Sequence, residues 1–130
     1  MTVAVVDGNA RARRGVVALL RQLPGISVVG EAADQGDALV VARAHQPDVI
    51  LADLRRITRS GGEFLGRLAA VAPQARVIVL SAYLTEQEQD DLAKAGAHAF
   101  LLKEIDSEAL VGAIRSVTAP VAGEKGRSGT

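Results

Sequence analysis

Two aspartates stand at the ends of apolar runs. Val3-Ala4-Val5-Val6 leads into Asp7, and Val49-Ile50-Leu51-Ala52, preceded by Pro47-Asp48, leads into Asp53. Four consecutive apolar residues read as a strand covered on both faces. An acid just past the carboxyl end of such a strand lies where open parallel sheets bind ligands, in the crevice beyond the strand ends. A carboxylate there points to chemistry rather than packing, and two of them would have to meet at one edge of one sheet.

The elements that must place these acids alternate along the chain. The first strand covers about Thr2 to Val6. Asn9 is a good N-cap for a first helix with Val16, Leu19, Leu20 and Leu23 facing inward, stopped by Pro24-Gly25. A second strand is expected at about Ile26 to Gly30. A second helix should start near Asp34, bury Ala38, Leu39, Val41 and Ala42, and end before Pro47. The third strand is Val49–Ala52. After a loop rich in Gly and Arg comes a third helix with Leu65, Leu68, Ala69 and Ala72 at i, i+3, i+4 and i+7, closed by Pro73. The fourth strand is Arg76 to Leu80. The fourth helix opens on Thr85 and Glu88 as a capping box and has little to bury beyond Leu92 and alanines; it should be the most weakly anchored. A fifth strand, Ala97 to Leu102, and a fifth helix follow. That helix is capped by Asp106, has Ile105 placed to staple onto Leu110, and faces Leu110, Ala113, Ile114 and Val117 inward.

Five strands alternating with five helices predict an α/β fold, a doubly wound five-stranded parallel sheet, because parallel strands need crossovers and right-handed crossovers cover both faces. The expected strand order is 2-1-3-4-5, the flavodoxin-like (βα)5 arrangement, which brings Asp7 and Asp53 out side by side at the switch point. Residues 1–118 form the folded domain; residues 119–130 have no apolar period and read as a linker or tail.

Composition bounds the rest. The chain has 130 residues, nearly half of them apolar, enough for one core. Fifteen basic and fifteen acidic residues cancel, so no global field steers it toward nucleic acid or an anionic membrane. There is no cysteine, hence no disulfide framework and no thiolate metal site. No apolar run approaches a membrane span and no signal segment precedes the first strand, so a cytoplasmic location is the expectation.

Five segments in order, Val5-Val6-Asp7, Val28-Val29-Gly30-Glu31-Ala32, Pro47 to Arg55, Val79-Leu80-Ser81-Ala82-Tyr83 and Gly96 to Lys103, make the chain resemble the receiver domain of bacterial two-component response regulators, most closely of the NarL/FixJ (LuxR-type) subfamily. The resemblance implies that Asp53 accepts a phosphoryl group, that Ser81 hydrogen-bonds it and that Lys103 pairs with it. It implies Mg2+ held by Asp7, Asp53 and the backbone carbonyl of Arg55, and a switch through Ser81 and Phe100. It also implies a sensor histidine kinase as donor, a homodimer, and DNA contacted only through a C-terminal domain that is not in this chain. Physical chemistry agrees, since phosphoryl transfer needs a positioned carboxylate, a metal, a cation and a hydroxyl more than covalent help.

The sequence also departs from that pattern. Receivers usually carry two adjacent acids after the first strand; here Gly8 follows Asp7. Unit charges about 4 Å apart interact by roughly 4 kcal/mol at an effective dielectric near 20, an upper bound on what Gly8 takes from metal binding. Mg2+ manages with one or two carboxylates plus phosphate oxygens and water, so weakened binding is expected. The loop from Arg55 to Gly61 lacks the usual proline, having Ile57 instead, and holds three arginines. Arg56 or Arg59 folding over the pocket as a stand-in cation is one reading, a solvated basic loop the other. Phe100, often tyrosine in relatives, has no hydroxyl to exchange partners and should stay buried. Tyr83 reads as a loop aromatic, and His98, far from His45, as structural.

Three functions follow from different classes. The first is a phosphorylation-responsive receiver, a regulator with no turnover of an external substrate. The second is an atypical pseudo-receiver that dimerises or senses a ligand without phosphate. The third is an enzyme or cofactor protein on a similar fold. Against the third, Asp53-Leu54-Arg55 lacks the second acid of an aspartate phosphatase, and Asp7-Gly8-Asn9-Ala10 lacks a flavodoxin's hydroxyl-rich phosphate loop.

Overall fold

The computed structural model describes residues 1–55, 61–82, 84–103 and 106–118. Along it alternate β1 (Thr2–Val6), α1 (Ala10–Arg21), β2 (Ser27–Ala32), α2 (Gln35–His45), β3 (Val49–Ala52), α3 (Gly61–Val71), β4 (Arg76–Ser81), α4 (Glu86–Ala95), β5 (Ala99–Leu102) and α5 (Ser107–Thr118). The strands make one sheet in the order β2-β1-β3-β4-β5, with every neighbouring pair parallel. This is the expected doubly wound arrangement.

The continuous apolar runs are explained by two cores, one on each face. Because strand side chains alternate, Val3 and Val5, Val49 and Leu51, and Ile78 and Leu80 pack with Val17 and Leu20 of α1 and Leu110 and Ile114 of α5. Ala4, Val6, Ile50 and Val79 pack instead with Ala38 and Ala42 of α2 and Phe64, Leu65 and Leu68 of α3. A polar side chain within β1 or β3 would face one of these cores, so the first place for an acid is the residue after each run.

Helix ends form where side-chain chemistry requires them. Asn9 accepts from the Ala12 amide at 3.0 Å, Asp34 from Asp37 at 2.8 Å, and Asp106 from Ala109 at 2.8 Å. Thr85 and Glu88 close the full capping box. Ahead of Pro47, α2 stops on Gln46 in the left-handed region, φ +44°. That conformation costs roughly 1–2 kcal/mol, offset by its side-chain amide donating to the carbonyls of Ala42, Arg43 and Val71 at 3.2, 3.1 and 2.7 Å.

Several boundaries and facings differ from the sequence expectation. β2 runs to Ala32 because β1 pairs with it as far as Val6, past a register shift between Val3 and Ala4. Gly30 in β2 lies so close under α2 that an added Cβ would meet Val41 Cγ1 at 2.5 Å. In α3 the inward stripe is rotated: Phe64 is fully buried while Ala69 is exposed. Phe64 has far more apolar surface to bury than Ala69, and at the start of α3 Gly61 lies so close to Leu92 and Leu54 that an added Cβ would meet them at 2.8 and 3.1 Å. In α1, Val17 is buried and Val16 only partly so. No residue of α4 is fully buried, in keeping with its expected weak anchoring. Ile57, Tyr83, Ile105 and the tail 119–130 lie outside the described residues. Among the described residues no helix is long and apolar enough to cross a membrane.

Phe64 is the largest wholly buried side chain under α3. Phe64→Ala is expected to cost about 3–5 kcal/mol, read as a drop in the urea unfolding midpoint at unchanged slope. A loss below about 1 kcal/mol would contradict the packing described.

Candidate functional site: an acidic pocket at the carboxyl edge of the sheet

Register alone brings the two acids together. β1 and β3 pair as Val6↔Ala52, and the next rung is Asp7 beside Asp53, with the Asp53 amide donating to the Val6 carbonyl at 2.9 Å. Both acids have the parity of Val5 and Leu51, so they leave the sheet on the same side. Asp7 is 0 % and Asp53 3 % exposed. Two carboxylates this buried are tolerable only if paired and hydrogen-bonded.

The pairing comes from the sheet's edge. β5 lies two strands from β3, roughly 10 Å at the usual spacing, and only a long side chain spans that. Lys103, whose amide donates to the Ser81 carbonyl at 3.0 Å, extends across the end of β4. Its Nζ forms an ion pair with Asp53 Oδ2 and lies 3.1 Å from Asp7 Oδ2. The other oxygens are held by main-chain amides: Asn9 donates to Asp7 Oδ1 at 2.8 Å and Arg55 to Asp53 Oδ1 at 3.0 Å. Burial would lower the Lys103 pKa, but hydrogen bonds and charges from Asp53 and Asp7 outweigh it and hold the ammonium above the ordinary lysine value.

Asp7 Oδ2 is buried and meets Lys103 Nζ at 3.1 Å, with no main-chain donor of the kind that Asn9 gives Oδ1. That spare coordinating capacity fits a hard cation. No cluster of three or more His, Cys, Asp or Glu that could hold a metal occurs among the described residues. A metal here would draw on the carboxylates of Asp7 and Asp53, with phosphate oxygens and water as its other ligands.

Ser81, at the end of β4 and 5 % exposed, stands at the same edge. With the half-buried Phe100 it lines a cavity of about 200 Å³ that also touches Leu84, Gln89, Leu101 and Leu102. Phe100 packs against the α2–α4 core from this position, less buried than expected. Arg56 and Arg59 lie outside the described residues. His98 is remote from the pocket. Its Nδ1 accepts from the Val77 amide at 2.9 Å, and burial and then the charge of Arg76 hold its pKa below the ordinary value. It therefore has the structural part expected for it.

One residue at the pocket escaped the sequence reading. Arg13, one turn into α1, donates to the Asp7 carbonyl and pairs with Glu31. Its signal was present, an arginine four residues after the N-cap Asn9, on a helix whose first turn passes the end of β1.

With this geometry in place, comparison with known proteins is decisive. The family model of the response regulator receiver domain matches residues 3–115. The chain belongs to that family. It is 39% identical over 114 residues to the nitrate/nitrite response regulator protein NarP of Escherichia coli (strain K12), covering 88% of this chain and 53% of NarP. It is 33% identical over 117 residues to the DNA-binding transcriptional activator DevR/DosR of Mycobacterium tuberculosis, covering 90% of this chain and 54% of that protein. Among solved structures, the signal receiver domain of the putative response regulator NarL from Mycobacterium tuberculosis superposes with a TM-score of 0.78 at 30% identity, covering 88% of this chain and 95% of that one. The chain spans about half the length of the curated relatives it matches. Receiver domains bind Mg2+ at this acidic pocket.

The raised Lys103 pKa has a consequence for stability. A base whose folded pKa is raised stabilises the fold fully below its unfolded value and loses that contribution as pH rises through the folded one. Lys103→Met should therefore unfold at lower urea than the parent, with a gap that holds from about pH 7 to about pH 10 and narrows above it. A pH-independent gap, or none at neutral pH, would contradict the ion pairing.

Proposed function

We propose that this receiver is a phosphoacceptor that switches the output of a transcriptional response regulator, with Asp53 as the acceptor. The observation that carries the reading is the single ammonium, Lys103, bridging carboxylates from β1 and β3 in one pocket. In the transfer, an Asp53 oxygen forms a bond to phosphorus as the bond from phosphorus to the donor's imidazole nitrogen breaks, and the leaving imidazole takes a proton from solvent. The Arg55 amide bond to Oδ1 and the Lys103 contact to Oδ2 fix the carboxylate's orientation, so the attack needs little reorganisation. Lys103 and the Ser81 hydroxyl then bind the phosphoryl oxygens. Mg2+ at Asp7, Asp53 and the Arg55 carbonyl would supply charge neutralisation when bound.

The donor in this reading is a sensor histidine kinase, and the receiver works in the cytoplasm. The output is a dimer that contacts DNA through a part outside residues 1–118, with 119–130 as the connection; relatives about twice as long, one of them named a DNA-binding transcriptional activator, support this. No external substrate is turned over. With Gly8 in place of a second acid, metal affinity is lower than two adjacent acids would give.

Incubation with Mg2+ and acetyl phosphate is expected to add the mass of one phosphoryl group to the wild type and none to Asp53→Ala. A wild type that stays unmodified at millimolar Mg2+ would overturn the proposal. Gly8→Asp should tighten Mg2+ binding by about tenfold, on the order of 1.4 kcal/mol, measured by calorimetry without phosphodonor; unchanged affinity would show that position 8 does not limit the site.

A further inference from the structure

The peptide that joins Asp7 to Gly8 is held from outside the pocket. Arg13 Nη1 donates to the Asp7 carbonyl oxygen at 2.7 Å, and Arg13 Nε lies 3.3 Å from Glu31 Oε1 on β2. The Arg13 side chain is 18 % exposed and that of Glu31 38 %, so the contact to the Asp7 carbonyl is half-buried while the ion pair stands at the surface. On the upstream side Asp7 is fixed by its amide, which donates to the Ala32 carbonyl at 3.0 Å. Downstream comes Gly8, which has no side chain to hold the loop and the widest choice of backbone angles. The carboxylate itself is held by the Asn9 amide at Oδ1 and faced by Lys103 at Oδ2, and the Arg13 contact adds a restraint on the main chain that carries it. A planar guanidinium can engage a carbonyl and a carboxylate at once; a lysine ammonium has no such fork.

We propose that Arg13 is a positioning residue for the acidic pocket: clamped by Glu31, it fixes the Asp7–Gly8 peptide and so keeps the Asp7 carboxylate turned toward Asp53 and Lys103. The inference rests on reading the pocket as a cation and phosphoryl site. Two other roles are possible for the same contacts, a staple between α1 and β2, and a fixed positive charge that repels a divalent cation.

Arg13→Met, Arg13→Lys and Glu31→Gln in the full chain separate them. The readouts are Mg2+ affinity by calorimetry without phosphodonor, hydrogen exchange of the Asn9 amide that donates to Asp7 Oδ1, and thermal midpoint. Arg13→Met is expected to weaken Mg2+ binding about tenfold and to speed Asn9 exchange. Arg13→Lys should restore the charge without the affinity, and Glu31→Gln should act in the same direction but less. Tighter Mg2+ binding in Arg13→Met would establish charge repulsion and overturn the proposal. Unchanged affinity and Asn9 protection with a lower midpoint would establish the staple and overturn it too. Should the wild type bind no Mg2+, the reading of the pocket fails, and Asn9 exchange still decides the role of Arg13. If Arg13→Met does not fold, Arg13→Lys and Glu31→Gln carry the same comparison.

Discussion

Two carboxylates with almost no access to water are expensive to bury. An isolated ion of this kind costs several kcal/mol even after relaxation, and the expense falls only when a counter-ion and directed donors are supplied together. Here the ammonium of Lys103 meets both acids, and the Asn9 and Arg55 amides take one oxygen of each. The parallel sheet makes this possible, because β1 and β3 are neighbours in register and β5 lies just far enough away for a lysine to cross β4. The two cores on either face leave the strand ends as the only place along β1 and β3 where such charges can stand.

The balance of charge in that pocket sets its chemistry. Two carboxylates against one ammonium leave one net negative charge, with a buried Asp7 oxygen whose lone pairs are not fully used. A cation is attracted, and Lys103 and Ser81 stand at the same edge. Gly8 withholds the further acid that would deepen the attraction, which makes the exact aim of Asp7 matter more.

The surroundings are not uniformly rigid. α3 and α5 bury large side chains, whereas α4 has none fully buried and is held by its capping box and by the Leu92 contact against Gly61 and Leu54. Leu54 adjoins Asp53 in sequence, so the weakly held helix leans on the segment that leaves that acid. Elements with few buried contacts open at the lowest free energy, which singles out α4 among the described helices.

Much of this was legible in the sequence, for a physical reason. Apolar runs ended by Asp7 and Asp53 encode strand, burial and site at once, and Asn9, Asp34, Thr85 with Glu88, and Asp106 encode helix starts through local hydrogen bonds. What was missed depends on tertiary contact. Phe64 displaced Ala69 from the expected stripe because its larger apolar surface gains more from burial in the core against the sheet. β2 ran on to Ala32 because of its pairing with β1. Arg13 looked like one of several surface arginines until the fold brought the end of β1 beneath it.

A double-mutant cycle on Lys103 and Asp53 tests the central claim most directly, with Lys103→Met, Asp53→Asn and the double variant compared by urea unfolding at neutral pH. A shared buried ion pair predicts a coupling energy above about 1 kcal/mol. Additivity within about 0.5 kcal/mol would mean that the two groups do not sense each other, and the account of the pocket would be wrong.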